Sequence, residues 1–159
     1  MDPLSIAGGV LSLVSSGFKI SRSLNTLRNK YKSAPATLSA LSVECSVTCA
    51  ALYQIQDLLT SRPEFLTSQS DSRSMLTDMF ELALLGCAAT FSVLDEELTK
   101  VEYDGKKGVF KVGFKSRLKL IWNEDTLKEL LQQMRDQRSS IGFLIETVQT
   151  YHTRIFSRG

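Results

Sequence analysis

Pro3-Leu-Ser-Ile-Ala-Gly-Gly-Val-Leu-Ser-Leu-Val-Ser-Ser-Gly-Phe18 contains no charged residue, although Asp2 precedes it and Lys19 follows it. Asp2 is a favourable N-cap, and Pro3 suits the first helical position, where a missing N–H costs nothing. A helix therefore starts at the first residues. On it Leu4, Ala7, Leu11, Val14 and Phe18 recur at spacings of three and four, an apolar stripe that Ile6, Val10 and Leu13 widen. Gly8, Ser12 and Ser16 lie four apart on another face, the small-residue spacing that lets helices approach closely in lipid.

Two homes are open to such a helix, the core of a helical bundle and a bilayer. At 1.5 Å per residue the stretch spans about 24 Å, short of the roughly 30 Å hydrocarbon layer. Lys19 can snorkel and bring Ile20 and Ser21 into the span. The length therefore suits conditional insertion better than a permanent anchor. The acidic start, and the lack of a small-x-small cleavage site before Lys19, argue against a secretory signal peptide. Asp2 rather than Gly after Met1 excludes N-myristoylation.

The 159 residues match a single domain of ordinary globular composition, 43% apolar and 23% charged. Net charge is only +2, but it is unevenly spread. Residues 1–32 carry Lys19, Arg22, Arg28, Lys30 and Lys32 against Asp2, while residues 33–99 hold nine acids against Arg62 and Arg73. Residues 100–119 are basic again, so two basic patches bracket an acidic middle. Three cysteines, Cys45, Cys49 and Cys87, are an odd number without a signal peptide, which favours reduced thiols in an intracellular setting. Cys45 and Cys49 sit one helical turn apart, but zinc needs four ligands and the single histidine, His152, is remote. They read as small core residues.

The remaining chain continues in helical period. The first helix runs on through Leu24 and Leu27 to about Lys30, with basic residues in its last turns to suit the helix dipole. Ser33-Ala34-Pro35 stops it and starts a second, whose Leu38, Leu41, Cys45, Thr48, Leu52, Ile55 and Leu59 step by three and four. Residues 60–71 form a Ser/Thr-rich loop with one proline. A third helix follows, carrying Leu76, Met79, Phe80, Ala83, Cys87, Phe91, Leu94, Leu98 and Val101, and ends near Tyr103-Asp104-Gly105. Gly105-Lys-Lys-Gly108 reads as a turn and residues 114–122 as a short helix. Asn123 caps the last helix, with Glu124 and Asp125 in its first turn and Leu127, Leu130, Leu131, Met134, Ile141, Leu144, Ile145, Val148 and Ile155 on its apolar face. No strand alternation occurs. The expectation is an all-α antiparallel bundle of four long helices with a short extra helix before the last.

Enzyme chemistry has no foothold in this pattern. There is no H-x-x-x-H, no C-x-x-C, no phosphate loop and no G-x-S-x-G. Asp95-Glu96-Glu97 reads as a solvated helix face. No catalytic residue, cofactor or metal is expected. The basic run from Lys100 to Lys119 sets Lys106, Lys107, Lys111, Lys115, Arg117 and Lys119 among Phe110 and Phe114. It reads as a solvated loop and helix end or as an attractor of anionic lipid, worth about 1 kcal/mol per basic residue near the surface. Nucleic acid is not expected, because a near-neutral chain with an acidic middle binds it poorly.

Two stretches carry a resemblance. The opening Met1-Asp-Pro-Leu-Ser-Ile-Ala-Gly-Gly-Val-Leu-Ser-Leu13 resembles the start of fungal STAND/NLR-type receptors with a HeLo-like N-terminal domain. Arg117-Leu-Lys-Leu-Ile-Trp122, Leu127-Lys-Glu-Leu-Leu-Gln-Gln-Met134 and Arg138-Ser-Ser-Ile-Gly-Phe-Leu-Ile145 together resemble the final helix of the same domain. These pieces cover about 50 residues at the two ends of the chain; the middle matches in helical pattern alone.

The resemblance implies a helical cell-death domain, related to the HeLo domain of HET-S-type proteins and similar in kind to the four-helix domain of MLKL. It implies a nucleotide-binding module C-terminal to this domain, self-association on activation, and an N-terminal helix that leaves the cytoplasm for the plasma membrane. Carried onto these residues, Leu4, Ile6, Val10, Leu11, Leu13, Val14 and Phe18 supply the inserting face. Gly8, Ser12 and Ser16 pack inserted helices together, and Lys19, Arg22, Lys106, Lys107, Lys111 and Lys115 hold anionic headgroups. The alternative is a non-lytic module that binds itself or an adaptor.

Overall fold

The computed structural model describes residues 3–30, 36–61, 71–106 and 123–156. They form four helices, α1 (Pro3–Lys30), α2 (Ala36–Ser61), α3 (Asp71–Lys106) and α4 (Glu124–Phe156), with no strand among the described residues. The expected ends of α1 and α3 fall within one or two residues of those observed. The short helix expected over 114–122 lies outside the described residues. Asn123 caps α4 as its sequence position suggests: its Oδ1 accepts a hydrogen bond from the Thr126 amide at 2.7 Å.

The four helices form a bundle in which each packs mainly against two others. The order around the bundle is α1, α2, α4, α3, so α1 lies across from α4 and α2 across from α3. Residue numbers fall along α2 as they rise along α1: Ser21 Oγ and Ser46 Oγ are 2.6 Å apart, and the Ser42 hydroxyl donates to Asn25 Oδ1 at 3.0 Å. Along α2 and α4 the numbers rise together. The Thr37 hydroxyl donates to Glu124 at 2.8 Å, and further on Glu44 receives Arg135 at 3.4 Å and Arg138 at 2.9 Å. Glu44 is the most enclosed member of that cluster, its side chain 14% exposed. Its Oε2 lies close to Arg138 but takes no well-directed hydrogen bond.

Apolar burial follows the helical period. All seven residues of the expected α2 seam are buried, Leu38 through Leu59. In α3 the buried set is Phe80, Ala83, Leu84, Cys87, Phe91, Leu94 and Leu98, with Leu76 and Met79 partly covered. In α4 it runs from Leu127 to Val148, with Ile145 partly covered. The few buried hydroxyls find acceptors: Thr48 donates to the Glu44 carbonyl at 2.8 Å and Thr90 to that of Gly86 at 3.0 Å.

Candidate functional site

The core-facing seam of α1 is Ile6, Val10, Leu13, Gly17, Ile20, Leu24 and Leu27, alternately four and three apart, with Val14 beside it. The stripe from Leu4 to Phe18 turns a different way. Leu11 and Phe18 are more than half exposed, Ala7 is half-buried and Val14 alone is buried. The residues expected to enter lipid therefore divide. Ile6, Val10, Leu13 and Val14 belong to the bundle core, and Leu11 and Phe18 face outward. Leu4 belongs to α1, but its side chain lies outside the described residues.

The small-residue face opens outward. Gly8 is exposed, and a Cβ added there would meet nothing within 4 Å. Ser12 and Ser16 line a shallow groove of about 310 Å³ between α1 and α3, opposite Ala88 and Ser92. Lys19 closes one end of it through an ion pair with Asp95 at 2.9 Å. Both partners are largely exposed, so the pair adds little to stability. Arg22 is exposed and makes no ion pair among the described residues. Of the remaining candidate headgroup residues, the side chain of Lys106 and all of Lys107, Lys111 and Lys115 lie outside the described residues.

Within the bundle a close approach between helices occurs at Gly17, a position not singled out from the sequence. A Cβ built there would overlap Cys49 Sγ and come within 2.9 Å of the Phe91 ring. Gly17 thus lets α1 settle against α2 and α3 at once. Its carbonyl also accepts the Cys45 thiol at 3.7 Å. The sequence signal was present, since Gly17 continues the four-three spacing of Ile6, Val10 and Leu13 toward Ile20.

All three cysteines are buried and free. The hydrogen bond with Cys49, and after it burial, push the Cys45 thiol upward. Burial, followed by the neighbouring Cys49, raises Cys87 to about 12. The folded state then keeps a proton that the unfolded chain releases near 9.0. This contribution is fully present below about pH 9 and is lost as pH climbs toward 12. Cys87→Ala is expected to flatten that part of the alkaline decline, seen as a smaller gap between urea midpoints at about pH 8 and about pH 11. An equal gap in both proteins would refute it. Among the described residues no group of three His, Cys, Asp or Glu side chains is placed to hold a metal ion.

Two helices, α2 and the Met75–Lys100 part of α3, are long and apolar enough by composition to cross a membrane. In each, 39% of the most apolar window is buried in the bundle, so a core role accounts for the same composition. No family model, curated protein or solved structure matches this chain.

Proposed function

We propose that this chain is a cell-death effector domain of a fungal STAND/NLR-type receptor, which permeabilises membranes once several copies are brought together. At rest it is a cytoplasmic helical bundle, antiparallel in chain order, with a short helix over 114–122. Clustering by a C-terminal nucleotide-binding module releases α1 into the plasma membrane, where anionic lipids receive the basic patches. No cofactor or nucleic acid takes part.

The observation that carries this reading is that α1 is uncharged from Pro3 to Phe18 and apolar on more than its core face. Leu11 and Phe18 stand in solvent at 55% and 59% exposure while Ile6, Val10, Leu13 and Val14 fill the core. The outer pair gives an otherwise uncharged helix a second apolar side that lipid can receive. The obstacle is the core left behind. Seven described apolar side chains of α1 are buried, and at about 1.5–3 kcal/mol each their exposure to water would cost roughly 10–20 kcal/mol. Lipid offsets that loss for α1 alone. The apolar character of α2 and α3 softens the cost to the rest, and avidity among clustered copies supplies what one copy lacks.

The test is dye release from anionic vesicles by domains clustered on the vesicle surface. Leu11→Glu adds a charge to an exposed site and leaves the core intact, so the fold should change by about 0.5 kcal/mol or less. Leakage should fall at least tenfold. Undiminished leakage would overturn the insertion of α1.

The fit of Gly17 against Cys49 and Phe91 favours the second reading, a bundle that keeps α1 in place and signals by docking to itself or an adaptor. On that reading the clustered domain forms stable complexes and releases no dye at any density.

A further inference from the structure

α3 turns a second apolar face away from the bundle. Met75, Leu82, Leu85 and Val93 are between 45% and 71% exposed. With exposed Ala89 they fall in one continuous strip about 27 Å long, unlike singly scattered surface residues. Asp78 lies on the same strip and makes no ion pair among the described residues, whereas Glu96 at its far end is paired with Lys100 at 3.0 Å. Val93 stands two turns beyond Gly86, which borders Gln137 of α4, and Leu85 stands two turns before Ser92, which lines the groove toward α1, so the strip points straight out from the bundle.

A counterpart lies elsewhere on the bundle. Leu11, Phe18 and Asn25 are spaced by seven, and Asn25 reaches Ser42 of α2, which puts Leu11 and Phe18 on the α1/α2 side. Tyr53 is 60% exposed and stands two turns beyond Ser46, the partner of Ser21, so it joins the same side. Exposed Arg22 lies one turn past Phe18. In the order α1, α2, α4, α3, the outer face of α3 and the α1/α2 side point away from each other. They cannot meet within one copy.

We infer that a second copy of this chain covers the α3 strip with its α1/α2 side, Phe18 settling between Leu82 and Leu85 and Arg22 facing Asp78. An apolar strip carrying the unpaired Asp78 meets an apolar strip edged by Arg22. Because the two surfaces are different parts of one molecule that point apart, the contact is head-to-tail and propagates into a ring or a filament instead of stopping at a dimer. This inference rests on the self-association common to both readings of the function and not on insertion of α1.

Phe18→Gln and Leu82→Gln each change one exposed side chain, and circular dichroism verifies that both variants keep the native helix content. In sedimentation at concentrations up to about 1 mM the wild type should exceed the 17.7 kDa of one chain, and each variant should lose at least tenfold in association. An equimolar mixture of the two variants retains one intact pairing and should give a two-chain species and nothing larger. A wild type that stays monomeric overturns the inference, as does a Leu82→Gln defect with Phe18→Gln unaffected, which would mean that α3 packs on itself. Unaltered masses for both variants overturn it too. Dye release measured on the same proteins separates the two ideas. Intact assembly without leakage leaves this contact standing and removes the membrane reading, whereas leakage without assembly does the reverse.

Discussion

A Ser21→Cys/Ser46→Cys variant, oxidised, is expected to release no dye from anionic vesicles however densely it is clustered, and to regain activity when reduced. The two hydroxyl oxygens lie 2.6 Å apart, which puts the paired Cβ atoms near the reach of a disulfide. The bridge ties α1 to α2 close to the middle of both helices. It closes a loop of about 25 residues and should stabilise the fold by about 3 kcal/mol, so lost activity cannot be ascribed to unfolding. Release of α1 needs the helix to part from α2 along its length, and a covalent tie forbids that. Docking through outer surfaces needs no such parting. A bridged protein that leaks as fast as its reduced form would show that α1 stays home during permeabilisation. One that neither leaks nor recovers on reduction would be compared with the single variants to separate the tie from the substitutions.

The second large effect is expected at Gly17. Gly17→Ala places a methyl against Cys49 Sγ and the Phe91 ring. The neighbours on both sides belong to other helices, so α1 must shift. Destabilisation of about 2–4 kcal/mol is expected, after a gain of up to about 1 kcal/mol in helix propensity. Cys49→Ala alone leaves a small cavity and costs less. Combined, the two changes should cost at least about 1 kcal/mol less than their sum, because removal of the sulfur makes room for the methyl. Urea denaturation of the four proteins gives the cycle. Strict additivity would mean that Gly17 is not the point where α1 meets the thiol layer.

Helix positions could be read from residue types, but orientation could not always be. In α2 a single seam fits the three-four spacing, and every residue on it is buried. In α1 two seams fit, one through Leu11 and Phe18 and one through Val10, Leu13 and Gly17. Up to residue 18 nothing separates them. Beyond it the first seam runs into Arg22, while the second continues as Leu24 and Leu27, and the longer apolar line is the one that packs. Gly17 lies on that second seam at its tightest point. The Ser21–Ser46 and Glu44–Arg138 contacts join residues 25 and 94 positions apart, and no local pattern announces such pairs. The basic residues expected at headgroups divide similarly: the fate of Lys19 depended on Asp95, an acid far along the chain.

The order of the helices around the bundle bears on how it can come apart. α4 touches α2 and α3, whereas α1 rests on those two from the far side and owes little to α4. Lifting α1 therefore opens two seams and spares the other two, which share a helix. What stays is a three-membered trough, α2–α4–α3, with its apolar floor bared and its two most lipid-compatible walls still joined through α4. Such a trough keeps its own helix contacts while it bares its floor, so the departure of one helix leaves the other three held together.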